Sequence, residues 1–149
     1  MVEEAGAGCT RDAELAVVVA ATHEIWMRTN ARIVQALARH RMTAATFQAL
    51  WAIDPDAPPP SMKAMTARLY CNAPNTTFIA GQLEERGWIE RAVDPADRRS
   101  RVLVLTEQGR LVREDVVRAA LESTPFADLP DEDVHRLVGL VAPAAGLDA

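Results

Sequence analysis

Residues 61–105 read SMKAMTARLY CNAPNTTFIA GQLEERGWIE RAVDPADRRS RVLVL, and the punctuation of this stretch decides the fold. Ser61 suits the N-cap of a short helix whose apolar side is Met62, Met65 and Leu69. Asn72 caps a second helix, expected over 73–86, with Pro74 in the first turn, where a missing N–H costs nothing. Gly87 stands at the position just past the helix, where a left-handed backbone is needed. The period then changes. Trp88-Ile89-Glu90-Arg91-Ala92-Val93 and Arg101-Val102-Leu103-Val104-Leu105 are two strand-like runs around a charged, proline-containing loop, the pattern of a hairpin. Two short helices joined by a brief turn and followed at once by a hairpin make a winged helix-turn-helix, at 61–69, 73–86 and 88–105.

Outward from this core the chain is helical. Between Asp12 and Arg39 the residues Leu15, Val18, Val19, Ile25, Trp26, Ile33 and Leu37 recur at steps of three and four without proline or glycine. Such a helix extends roughly 40 Å, more than a domain of this size needs to close its own core, and points to a partner subunit. Thr43 caps a second helix with Phe47, Leu50, Trp51 and Ile53 on its inner side, and the prolines at 55 and 58–60 stop it. Beyond the hairpin, Thr106 caps a helix to Ser123, 125–130 is a break, and Asp131 opens a last helix to about residue 142. The expected class is mainly α with a small β-hairpin wing. At 149 residues, one domain spans 1–149: a helical dimerisation region (12–39 and 106–142) around a winged region (43–105).

Apolar residues make up 49% and charged residues 25%, the balance of a globular chain. No apolar run reaches the length needed to cross a bilayer, and the first residues are acidic where a secretory leader needs positive charge, so a cytoplasmic protein without membrane contact is expected. Cys9 and Cys71 are too few for a disulfide scaffold. His23, His40 and His135 lack metal-ligand spacing, and no nucleophile elbow or phosphate loop is present, so neither metal, cofactor nor enzymatic activity is expected. The net charge of −5 argues at first against a nucleic-acid partner. Its distribution argues the other way: residues 1–60 carry −2, 61–101 carry +2 and 102–149 carry −5, with Arg91, Arg98, Arg99 and Arg101 gathered at the end of the basic segment.

A helix of 13 or so residues fits the major groove of B-DNA with its N-terminal residues at the base edges. Asn75, Thr76, Thr77 and Phe78 occupy that end, Asn75 suited to adenine and a threonine methyl or Phe78 to a thymine methyl, while Ile79 and Leu83 face the core. No Lys or Arg falls between Ala73 and Gln82.

Residues 71–77 (CNAPNTT) and 83–91 (LEERGWIER) resemble the recognition helix of the MarR family of regulators. The wing DPADRRSR (94–101) and the following LTEQGR (105–110) resemble that family's Asp-x-Arg wing signature and the Leu-Thr-x-x-Gly opening its next helix. The close match covers about 71–110, and element order extends a weaker one over most of the chain. The resemblance implies a DNA-binding repressor that acts as a homodimer on double-stranded DNA with a pseudo-palindromic operator. It places Arg99 in the minor groove and Arg98 on phosphate, with Asp97 accepting hydrogen bonds from Arg101 to hold the wing. It further implies a small aromatic or phenolic ligand, for which His23, Trp26, Arg28 and Trp51 are candidates. Two other readings stay open: a winged-helix protein-interaction module without DNA binding, and a repressor that senses oxidants through Cys9. Met62, Met65 and the Arg68-Leu69-Tyr70 turn depart from the family pattern, where Leu and a small turn residue are usual.

Overall fold

The computed structural model describes residues 4–147, with side chains from Thr10 onward. In chain order it contains α1 (Glu4–Arg39), α2 (Ala44–Ala52), α3 (Met62–Arg68), α4 (Ala73–Glu85), β1 (Ile89–Val93), β2 (Arg101–Leu105), α5 (Glu107–Ser123), a 3-10 turn (Pro125–Asp128) and α6 (Asp131–Ala144). Side-chain caps start the helices where expected. Thr43, Ser61 and Asn72 accept from the backbone N–H groups of Thr46, Ala64 and Asn75.

Four helices end alike, each with a left-handed residue whose neighbours return N–H bonds to the last carbonyls. Gly87 and Gly146 fill two of these positions, at φ 72° and 69°, but Arg41 and Tyr70 fill the others at φ 50° and 49°. After α1, Met42 N–H bonds Leu37 C=O and Arg41 N–H bonds Ala38 C=O; after α3, Cys71 bonds Thr66 and Tyr70 bonds Ala67. A side chain at such a backbone carries local strain that glycine would not.

The chain divides into two compact units: residues 33–120, and the described residues up to Arg32 together with those from Leu121 on. The first unit has a true core, built from Ile33, Leu37, Leu50, Ile53, Met65, Leu83, Ile89, Leu103 and Val116. Its hairpin is antiparallel with Ile89 opposite Leu105 and Val93 opposite Arg101. A feature the proline run concealed is a third edge: Ser61 bridges Val102, and Leu103 N–H bonds Pro60 C=O at 2.9 Å. Proline lacks a donor but keeps its acceptor, so Pro60 can still pair with a strand.

Within this unit the end of α1 is tied to α4 and α5. Arg86 donates to the carbonyls of His40 (2.8 Å) and Arg41 (2.7 Å) and lies over the Trp88 ring at 4.9 Å. His40 Nε2 sits 2.7 Å from Asp115, which also meets Arg39 at 3.3 Å. The hydrogen bond from His40 foremost, and with it Arg39, holds the Asp115 carboxyl below its ordinary value against the opposing effect of burial.

Two sequence expectations need correction here. Trp51 is not on the inner face of α2, which is formed by Thr46, Phe47, Ala49 and Leu50; it is 39% exposed and meets Phe47 edge-on, 5.4 Å between ring centres. One step beyond Leu50 turns a side chain about 100° around the helix and off the core. The apolar residues of α1 also divide: Ile33 and Leu37 are buried, whereas Leu15, Val18, Val19 and Trp26 are exposed. In the unit that contains those four, no described side chain is buried.

Candidate nucleic-acid interface

α4 places its residues by simple rotation. Thr76, Ala80 and Leu83 are buried, so Asn75, Thr77 and Phe78 face outward, as does Pro74. Ile79, expected in the core, is half-buried against it. Thr76 is the correction to the expected base-reading set. It is 1% exposed, its hydroxyl donating to Asn72 C=O at 3.1 Å and accepting from Thr66 at 3.0 Å, with Cys71 Sγ at 3.2 Å. A buried hydroxyl must find partners, and here they lock α3 to the start of α4 rather than meet a base. The outward face carries no Lys or Arg from Ala73 to Glu85.

The wing is held by backbone-directed carboxylates. Asp94 accepts from Ala96 N–H at 2.8 Å, Asp97 accepts from Arg99 N–H at 3.0 Å, and the loop closes through Asp94 N–H to Ser100 C=O at 3.2 Å and Ser100 N–H to Asp97 C=O at 2.9 Å. Asp97 therefore acts on the loop backbone, and its partner differs from the expected one. The Arg101 guanidinium instead donates to the carbonyls of Ser100 (3.2 Å) and Arg98 (3.4 Å). Short carboxylates in turns bond the backbone two residues on, which is quicker to reach than a guanidinium across the hairpin. Arg98, Arg99 and Arg101 are exposed, and none is ion-paired with a described carboxylate. Arg91 is different: Glu84 lies 3.1 Å from it, which removes it from the basic patch.

Three outward features carry no expected role. Tyr70 is 95% exposed in its strained turn. It borders a groove of about 610 Å³ between α3 and α4, shared with Lys63, Thr66, Cys71 and Thr77. Gly81 lies mid-helix where an added Cβ would meet nothing within 4 Å.

Of the candidate ligand residues, Trp51 belongs to the unit of the winged region, where with Phe47, Gln48, Arg68 and Tyr70 it lines a second groove of about 340 Å³. His23 and Trp26 belong to the other unit and stack at 6.4 Å, and Arg28 pairs with Glu24 at 2.8 Å. The side chain of Cys9 lies outside the described residues. Among the described residues no helix is long and apolar enough to cross a membrane.

Known proteins of the same architecture exist. CouR from Rhodococcus jostii RHA1, solved with p-coumaroyl-CoA, is 24% identical with a TM-score of 0.69 over 83% of this chain and 87% of that one. CouR bound to a 23-mer DNA duplex gives a TM-score of 0.66 at 24% identity over 84% and 89%. BpsR of Bordetella bronchiseptica, whose DNA binding is regulated by 6-hydroxynicotinic acid, is 25% identical with a TM-score of 0.66 over 88% and 94%. No curated protein sequence matches significantly. The MarR family model matches residues 42–100, the helix-turn-helix and wing whose geometry is given above, and over these residues the chain is similar to the MarR family of regulators.

Proposed function

We propose that the chain is a ligand-responsive repressor that binds a pseudo-palindromic operator in double-stranded DNA as a homodimer in the cytoplasm. The observation that carries this reading is the wing: three exposed arginines without carboxylate partners among the described residues, on a loop stiffened by Asp94 and Asp97, in the same unit as the outward face of α4. Unpaired guanidinium groups on a stiff loop suit a narrow, electronegative minor groove, Arg99 at its tip and Arg98 on phosphate. Asn75, Thr77 and Phe78 take the major groove, and CouR bound to a 23-mer DNA duplex is a precedent for DNA binding by a protein of this fold. Arg99→Ala should weaken operator binding and reduce its salt dependence by about one counterion. Equal affinity and equal salt slope would remove the wing from the interface.

The homodimer rests on the unit in which no described side chain is buried. Leu15, Val17, Val18 and Val19 of α1 and Val138, Leu140 and Val141 of α6 are 46% to 72% exposed, and a second copy would cover them. On this reading 12–39 and 106–142 form the dimerisation region of a single domain. The ligand is a small aromatic or phenolic compound, after the aromatic groups of p-coumaroyl-CoA and 6-hydroxynicotinic acid named for CouR and BpsR. The open rings of His23, Trp26 and Trp51 are surfaces on which such a ring can stack.

One observation favours a second reading, a protein-interaction module: the outward face of α4 lacks cations and exposes Phe78. Selection from a random duplex pool separates the two, because an interaction module enriches no motif at moderate salt.

A further inference from the structure

The first turns of the far side of α4 suit an apolar partner. At about 100° per residue, the direction opposite Thr76, Ala80 and Leu83 is taken by Pro74, Phe78 and Gly81, with the exposed Glu85 following only at the helix's C-terminal end. Phe78 is 66% exposed, a full aromatic ring turned away from a core that buries Leu83 and half-buries Ile79. One turn on, Gly81 interrupts a helix that would be firmer with alanine. Its backbone is not left-handed and a Cβ there would meet nothing, so neither conformation nor packing within the chain asks for glycine. Bare backbone beside an exposed ring permits close approach from outside.

What could approach is limited by what the face lacks. Guanine presents O6 and N7 acceptors, whose usual readers are Arg and Lys, and the helix has neither. Asn75 can serve adenine, and the one apolar group in the major groove is the C5-methyl of a pyrimidine, thymine in unmodified DNA. Resting on the DNA-binding reading above, we propose that Phe78 is a specificity-determining residue that reads a thymine methyl in each half-site, with Gly81 letting α4 seat closely enough for the ring to reach it. The operator is then selected at α4 by methyl contact, while the wing arginines supply sequence-independent attraction.

The test uses the full-length protein and the duplex it enriches most from a random pool at moderate salt. Each thymine is replaced in turn by deoxyuridine, which removes the methyl and leaves every hydrogen-bonding group in place. One thymine per half-site should lose about fourfold in affinity, the worth of one buried methyl. In Phe78→Ala that difference should vanish, while Phe78→Leu, still apolar, should keep part of it; the ring's exposure means that neither change should lower Tm. An enriched duplex indifferent to deoxyuridine at every position overturns the assignment, as does undiminished sensitivity in Phe78→Ala. No enriched duplex at all overturns the DNA-binding reading itself, and the assignment with it.

Discussion

Gly109→Ala should be among the most damaging single-methyl changes in the chain. Leu105 closes the hairpin opposite Ile89. The Thr106 hydroxyl then does two jobs, accepting from Gly109 N–H at 2.9 Å to cap α5 and donating to Gly87 C=O at 2.6 Å. Thr106 N–H adds a bond to Trp88 C=O at 3.0 Å. These bonds draw the first turn of α5 so close to the chain at Trp88 that a Cβ on Gly109 would fall 1.8 Å from the Trp88 carbonyl oxygen and 2.7 Å from its carbon. Both are backbone atoms fixed by the strand that follows, so α5 must withdraw by more than an ångström. Withdrawal breaks the two bonds from Thr106, about 1 kcal/mol each, and loosens the packing of Trp88 and Val112, for which strained cores lose about 1–3 kcal/mol. The total is about 3–5 kcal/mol out of a stability on the order of 5–15 kcal/mol. Thermal unfolding followed by circular dichroism should show Tm lower by roughly 10–20 °C, at about 4 °C per kcal/mol. Gly81→Ala is the internal control, expected to raise stability by about 0.5–1 kcal/mol because its methyl enters open space. A Gly109→Ala protein within about 1 kcal/mol of wild type would refute the close approach of α5 to Trp88.

Thr76→Val keeps the shape of the side chain but removes the hydroxyl that joins Asn72 and Thr66, and should cost about 1–2 kcal/mol in urea denaturation. Thr77→Val, on the exposed face, should stay within about 0.5 kcal/mol, and equal losses at both sites would put Thr76 back among the base readers. Asp115 offers a pH signature. Its carboxyl is held below the ordinary 3.8, first by the His40 hydrogen bond and then by Arg39, so its contribution is complete above that value and disappears as pH falls through the lowered one. Asp115→Asn should therefore lower the unfolding free energy at neutral pH, by less than about 1 kcal/mol for so exposed a pair, and the gap to wild type should close below about pH 4. A gap that widens in acid would assign Asp115 another role.

Much of the winged unit was legible because its signals are local. Ser61, Asn72, Gly87 and Thr106 each act within a turn of backbone, and each stands at the helix end where its chemistry is needed. The Leu-Thr-x-x-Gly run was legible as a pattern, but its cause was not: the need for glycine at 109 comes from Trp88, twenty-one residues away. Thr76 was misplaced for a related reason. Position near a helix start is visible in sequence, whereas which side of the helix meets α3 depends on the angle between two helices. The Asp97 partner failed on competition, since the Arg99 N–H lies two residues away and Arg101 finds carbonyl groups in its own loop. Tyr70 broke the rule that a left-handed turn takes glycine or asparagine, and no local signal replaces that rule.

Hydrophobic periodicity tells which residues need cover, not what covers them, and α1 shows the consequence. Its steps of three and four continue through Leu15, Val18, Val19, Ile33 and Leu37, yet only Ile33 and Leu37 lie in a core. The buried residues of the chain fall between Ile33 and Ala120 among those described, so the winged unit can hold its shape on its own contacts. On the proposed homodimer the helical unit, which has no buried side chain among the described residues, draws stability from association, and that part scales with protein concentration. Two reading heads bind an operator strongly only when linked, because the second contact then becomes intramolecular. On that proposed reading, a signal that weakens the helical unit releases DNA without touching any residue of α4 or the wing.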